Sequence, residues 1–414
     1  MSDATDARLA AQYESYPYPQ RDPRQESKRL IVGSPSHLRE IDWWVFGARR
    51  PRSRPLRALI AGGGTGDATI MLAVHMARWG QPGTVTYLDR SEAALRIAQA
   101  RAEARGLTNI VWRRGSLLDL PRGGDEPYDY IDCCGVLHHL PDPAEGLAAL
   151  LSVLAPGGGL GLMVYAPHGR TGVYMVQDAL RLLAPPDQPP AVRLDAAKRV
   201  MRHLPESNWL RINRNFADHL TGGDAGLYDL LLNPRDRAFD ISALHALLHS
   251  AGLAVTALME PMRYDPVTWL PDPKLRARAA ALDAVGRAAL AEALTANMST
   301  HVAYCVRAAD RVEPADAMDD AAVPVAREMP AGEVARAIRP DGTLSFLFDG
   351  LRAPVALPPL AAAILHQIDG THSVAEIAAA LAERGTPRAA FDRAWRDTWD
   401  KLSALNRILL APPQ

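Results

Sequence analysis

Between residues 56 and 308, short apolar runs alternate with stretches whose apolar positions recur at helical spacing. Leu56 to Ala61 forms the first run and predicts a strand. Ile70, Leu72, Ala73 and Met76 then line one face of a helix that starts after Gly66 and stops near Gly80. "TVTYLD" gives a second strand, "SEAALRIAQARAEARG" a capped helix stopped at Gly106, "NIVWRRG" a third strand and "YDYIDCCGVL" a fourth. Asp142-Pro143 supplies an N-cap and a first-turn proline for "AEGLAALLSVL", and "APGGG" turns the chain into a fifth strand, "LGLMVYA". Alternation of this kind with short turns predicts an α/β fold, a parallel sheet with helices on both faces.

The rhythm breaks at Pro167. Residues 167–238 contain helical patches but no strand pattern, which predicts a lid or binding insertion rather than plain loop. "DISALHALLHSAGLAVTALME" restores a helix and a strand, a further helical stretch follows, and "HVAYCVRA" is the last strand. Upstream, residues 1–50 form an arm and a cap helix. The prolines and tyrosines of "YESYPYPQRDP" argue against helix there, and Ser34-Pro35 is expected to start a helix that buries Leu38, Ile41 and Val45. Downstream, residues 309–332 are acidic, Pro- and Ala-bearing and aperiodic, the pattern of a linker. Residues 333–414 carry a capping box at Ser373 and Glu376 and a stripe of Phe391, Trp395, Trp399, Leu402 and Leu405, predicting a small, mostly α domain with a short hairpin.

Composition narrows the partners. At 414 residues and 48% hydrophobic, the chain can build more than one core. Lys+Arg (46) nearly balances Asp+Glu (47), so no electrostatic argument points to nucleic acid or an anionic membrane. Cys133, Cys134 and Cys305 form no CxxC pattern, which fits reduced thiols rather than disulfides or a zinc site. The N-terminus lacks a signal-peptide core and no apolar run approaches ~18 residues, so a soluble, cytoplasmic protein is expected. His245 and His249 have i, i+4 spacing, but Ala246 stands where a zincin helix has glutamate, and no metal is expected there.

The candidate chemistry begins at "ALIAGGGTGDATIMLA", residues 58–73. A dinucleotide turn needs a third glycine at position 67, where Asp67 stands, and a carboxylate there would compete with a pyrophosphate for the helix N-terminus. No Gly-Lys-Ser/Thr follows, so a Walker loop fails as well. What survives is G-x-G-x-G at Gly62, Gly64 and Gly66, suited to a ligand that needs close backbone approach without a phosphate. Asp89, at the end of the second strand, can accept two hydrogen bonds from a ribose diol.

In order and spacing, "ALIAGGGTGDATIMLA", "VTYLDRSEAALRIAQARAE", "WRRGSLLDLP", "YDYIDCCGVLHHLPDP" and "LLSVLAPGGGLGLMVYA" resemble the motifs of class I S-adenosylmethionine-dependent methyltransferases. The resemblance covers roughly residues 56 to 308. It implies a Rossmann-like seven-stranded sheet with an antiparallel last strand and the methyl donor S-adenosylmethionine over the strand tips. It also implies that Gly62, Gly64 and Gly66 approach the donor's methionine part, Asp89 binds the ribose, Arg90 flanks the adenine, Ser116 and Leu117 line the adenine edge, and Gly135 sits beside the donor. Two departures stand out. Ile60 occupies a position that is acidic in many members, with Asp67 as the substitute for the lost ammonium contact. Ser116 replaces a frequent adenine-binding carboxylate, with Asp119 close by. "YESYPYPQRDP" resembles the lead-in of a bacterial subset, implying that Tyr13 and Tyr16 fold over the pocket. "LPPLAAAILHQIDGTHSVAEIAAALAE" is similar to winged-helix-like domains that bind peptides, implying a peptide or protein partner, with a structural or dimerising role as the alternative.

Methyl transfer from a sulfonium needs positioning and desolvation, and a base only where the acceptor must lose a proton. His138 and His139 follow the fourth strand, while Tyr165, His168 and Arg170 leave the fifth. His138, Tyr165 and His168 are the catalytic candidates. The expectation is therefore a methyltransferase acting on a small molecule or a protein side chain. Its alternative is a donor-binding regulatory or scaffold protein without turnover.

Overall fold

The computed structural model describes residues 2–122, 124, 126–213 and 222–414. Seven strands form the central sheet: β1 (Leu56–Ala61), β2 (Gly83–Asp89), β3 (Ile110–Arg114), β4 (Tyr128–Cys134), β5 (Leu154–Tyr165), β6 (Leu253–Leu258) and β7 (Thr300–Arg307). Their order is β3-β2-β1-β4-β5-β7-β6. β1 to β5 pair in parallel, and β7 runs antiparallel to both of its neighbours, as the motif order implied. The chain leaves β1 toward β2 on one side and returns to β4 on the other. That reversal opens a crevice beyond the carboxyl ends of β1 and β4, the place where an open α/β sheet binds ligands.

Alternate residues on each strand feed two cores. Leu59, Ile131 and Leu162 pack with Leu150 and Leu248 on one face, while Ile60, Tyr130 and Tyr304 pack with Leu72 and Met76 on the other. The helix caps form where the sequence placed them: Ser91 accepts from the Ala94 amide, and Asp142 from the Ala144 amide.

The chain ends depart from expectation. Ser2–Ser15 is a helix that includes Tyr13, because the prolines that forbid helix begin only at Pro17. Ser34-Pro35 does not open the next one. That helix begins at Leu38 and winds wider over Ile41–Val45, still burying Leu38, Ile41 and Val45. The 167–238 segment holds the helices Val173–Leu183, Pro190–His203 and Gly223–Leu232 around a core of Val176, Leu180, Leu194 and Leu230, with no strand among the described residues.

Residues 309–332 are not a featureless linker. Within them β8 (Pro324–Ala326) pairs antiparallel with β11 (Ile408–Leu410), and the helix Ala331–Arg336 begins. A hairpin of β9 (Thr343–Phe348) and β10 (Leu351–Ala356) precedes the helices Val374–Ala382 and Arg388–Ala404, the first opened by the Ser373/Glu376 capping box. The core beneath them also takes in Trp43 and Ala48 from the arm. Here Glu40 is fully buried. It accepts hydrogen bonds from Tyr304 (2.6 Å), Ser34 (2.7 Å) and Asn406 (2.6 Å) and is ion-paired with Arg327. Burial alone would raise its pKa, but Arg327 and these donors hold it below the usual carboxylate range. No helix among the described residues is long and apolar enough to cross a membrane.

Candidate functional site

A cavity of about 760 Å3 occupies the crevice at the tips of β1, β2, β4 and β5. Its floor is the glycine turn. Gly62 (φ +87°) and Gly64 (φ +50°) bend the chain left-handed, and a Cβ on Gly62 would lie 2.2 Å from Val136 Cγ2. Both glycines line the cavity. Gly66 does not: its φ of +101° and the 2.9 Å that would separate a Cβ from the Ala98 methyl show that it serves helix packing. Asp89 ends β2 with Oδ2 accepting from the Gly64 amide (2.8 Å) and Oδ1 from the Ser91 amide (2.9 Å). Burial raises its pKa despite these bonds. Arg90, Ser116, Leu117 and Gly135 (φ +77°) also line the cavity, whereas Asp119 lies outside the lining.

The arm forms the roof. Thr65 donates to the Pro19 carbonyl (2.7 Å), and Ser91 donates to Glu14 (3.0 Å) and to the Tyr13 carbonyl (3.3 Å). Arg21 grips Asp67 with two nitrogens, at 2.9 and 2.6 Å. Tyr13 enters the cavity lining. Tyr16 instead stacks on Tyr228 of the insertion with ring centroids 5.0 Å apart.

Asp67 lines the cavity, but its carboxylate is already engaged. Besides Arg21 it pairs with the buried Arg101 (2.7 Å), so two guanidiniums already compensate its charge. Burial pushes its pKa up, but Arg21 and Arg101 outweigh that and hold it low. The sequence reading passed over a better placed carboxylate. Asp132 on β4 is the direct register partner of Ile60 on β1, is 1% exposed and lines the cavity. It accepts from Ser36 Oγ (2.5 Å) and the Cys134 amide (3.0 Å), and burial pushes its pKa up to about 6. An aspartate inside the apolar run "YDYIDCC" was the available signal.

At the other end, Asp229 of the insertion gathers donors from distant parts of the chain. Tyr13 (2.9 Å), Asn233 (3.2 Å) and Tyr165 (3.1 Å) all donate to it. Burial, reinforced by the Asp229 charge, raises both tyrosine pKa values far above the usual range, so the phenols remain donors. Arg170 lies 3.7 Å from the Tyr165 ring centroid and pairs with Asp236 (2.6 Å) behind it. His139 lines the cavity with Nδ1 2.6 Å from the Arg235 carbonyl.

Of the three catalytic candidates, only Tyr165 reaches the cavity. His138 is fully buried behind it, rings 4.0 Å apart, and burial keeps it neutral. His168 lies outside the lining with Nδ1 3.1 Å from Glu292, which also binds His301. The turn after β5 carries it past the opening toward the helix Ala284–Thr295.

Comparison with known proteins agrees with this geometry. Residues 59–160 match the family described as "Methyltransferase domain". An uncharacterized protein of Synechococcus sp. is 31% identical over 271 residues, covering 64% of this chain and 63% of that protein. The ubiquinone biosynthesis O-methyltransferase of Paracidovorax citrulli is 32% identical over 115 residues, covering 28% of this chain and 45% of that one. This chain thus spans less than two thirds of either relative. The solved structure of PKMT2 from Rickettsia typhi in complex with AdoHcy superposes with a TM-score of 0.63 at 15% identity, over 91% of this chain and 75% of that one. That likeness is one of fold.

Proposed function

We propose that this chain is a class I S-adenosylmethionine-dependent methyltransferase. One observation carries the reading: a single cavity joins the glycine turn, Asp89 and Asp132 to the Tyr13–Asp229–Tyr165 cluster. The first set suits an uncharged ribose diol and a cationic amino-acid end. At Gly62 a Cβ would strike Val136 and at Gly64 it would crowd the Tyr18 carbonyl, so glycine lets the turn keep this backbone path beneath the cavity. S-adenosylmethionine supplies an activated methyl group when bound. The protein's own share is to bind, orient and exclude water. Asp89 holds the ribose, Leu117 and Ser116 bound the adenine, and Asp132 faces the ammonium. Tyr13, Tyr165 and Asp229 position the acceptor.

Similar proteins include a ubiquinone biosynthesis O-methyltransferase and a tRNA 5-carboxymethoxyuridine methyltransferase, so the donor-side likeness does not by itself select an acceptor. Residues 1–50 act as the roof of the site. For residues 333–414, the winged-helix-like unit expected from the sequence, the Glu40 network with Arg327 and Asn406 favours bracing of the catalytic unit over capture of a peptide. Incubation with methyl-labelled donor and fractionated lysate tests the proposal. Label entering a small molecule or a protein supports it. Tight donor binding with no transfer to any fraction would turn the reading to a donor-sensing scaffold.

A further inference from the structure

Well away from the cavity, three segments of the chain converge on one point. His37 from the arm, His75 from the helix Asp67–Arg78 and Glu328 just after β8 place their ligand atoms within 4.8 Å of one another. Both imidazoles are fully buried. Glu328 Oε2 lies 3.1 Å from His37 Nε2 and 3.7 Å from His75 Nε2, so both rings aim one nitrogen at the same carboxylate oxygen. Of the four ring nitrogens, His37 Nδ1 and both of His75 have no hydrogen-bond partner among the described residues. Buried polar atoms without partners are rare in native proteins and commonly mark an absent water or ion. A neutral imidazole offers one ring-nitrogen lone pair to a metal.

We infer that His37, His75 and Glu328 form a binding site for a zinc-class divalent cation. Two neutral imidazoles and one carboxylate are a known zinc ligand set, and the partly exposed Glu328 leaves a fourth position for water. Arg39, over the Trp79 ring (4.2 Å) and donating to the Ala326 carbonyl, also feels the Glu328 charge, and Arg327 is paired with Glu40, so a bound cation would share Glu328 with Arg39. The ion would tie the arm, the helix that follows the glycine turn and the C-terminal region together. The inference is independent of the methyltransferase reading.

The test uses the full chain, stripped with chelator and titrated with zinc alone against a chromogenic indicator, with the thermal midpoint read alongside. One zinc per chain at micromolar affinity and a raised midpoint are expected. Glu328→Gln, at a partly exposed carboxylate, should fold normally and bind at least tenfold more weakly, and His75→Gln should lose the zinc-dependent rise in midpoint. His245→Gln, at the other histidine pair, should change neither. Absence of stoichiometric binding by the wild-type chain, or binding that survives Glu328→Gln and falls with His245→Gln, would overturn the assignment.

Discussion

The two ends of the cavity are built in opposite ways. The glycine-turn end is made by backbone at the tips of adjacent strands. Gly62, Gly64 and Asp89 come from β1, β2 and their turns, and a Gly64 amide bonded to Asp89 fixes the spacing. The Asp229 end is made by side chains from elements far apart in sequence: a helix of the arm, the exit of β5 and a helix of the insertion. Backbone geometry at strand tips tolerates sequence drift and serves one invariant ligand. Side chains borrowed from elements far apart in sequence can be changed singly without moving the strand tips. On the proposed reading, the comparison predicts that binding of donor and choice of acceptor can be separated by substitution.

The largest expected effect tests that separation directly. Asp229→Ala leaves Tyr13, Tyr165 and Asn233 without their common partner. Misplacement of about 1 Å in a positioning group costs on the order of 100-fold in rate. Turnover should fall by roughly that factor while donor affinity, read by calorimetry, stays within about twofold. Equal losses in both would show that the two ends are one unit. The converse variant is Asp89→Ala. A hydrogen bond to a charged group contributes about 1.5–3 kcal/mol, so donor affinity should drop roughly 10- to 100-fold. Unchanged affinity in a folded variant would remove Asp89 from the site.

The same contrast explains what the sequence disclosed. The strands β1 to β5 and the glycine turn were legible because they depend on local periodicity and on turn glycines, while the antiparallel last strand was implied by the family resemblance. Asp89 was legible as a carboxylate at a strand tip. Asp229 was not, since nothing near "GLYDLLL" signals that a tyrosine 216 positions away will bond to it. The surroundings of Asp67 were hidden for a related reason: its partners Arg21 and Arg101 lie 46 and 34 residues away, and only the fold brings them together. His168 followed the right strand but turned the wrong way.

Asp132 gives an intermediate effect with a pH signature. Its folded pKa of about 6 exceeds the ordinary value of 3.8, so the folded chain retains a proton that the unfolded chain loses. Its contribution to stability is therefore full below pH 4 and is lost as pH rises toward 6. Donor affinity should move the opposite way, because an ammonium favours the ionised carboxylate. Between pH 5 and 7 an α-amino group with a pKa of about 7.7–8.0 stays charged, so affinity should rise about tenfold, and Asp132→Asn should remove its part of the slope, leaving any part due to Asp89, whose pKa burial also raises. Asp42, also raised to about 6, would alter stability over the same range, but it lies outside the cavity lining. Affinity that stays pH-independent in the wild-type chain would exclude Asp132 from the ammonium contact.

The smallest effect separates Asp132 from Asp67 as that contact. The Arg21–Asp67 pair is partly exposed, at 28% for each side chain, so the pair contributes no more than about 1 kcal/mol. Its role is to close the arm over the glycine turn. Arg21→Ala should loosen the roof and speed donor dissociation about two- to fivefold, with stopped-flow association rates nearly unchanged. Asp67 would remain bound to Arg101 and gain no free charge worth a new contact. Were Asp67 the ammonium partner, the same substitution would release one of its two guanidiniums and tighten donor binding. The sign of the change in dissociation rate therefore decides between the two carboxylates.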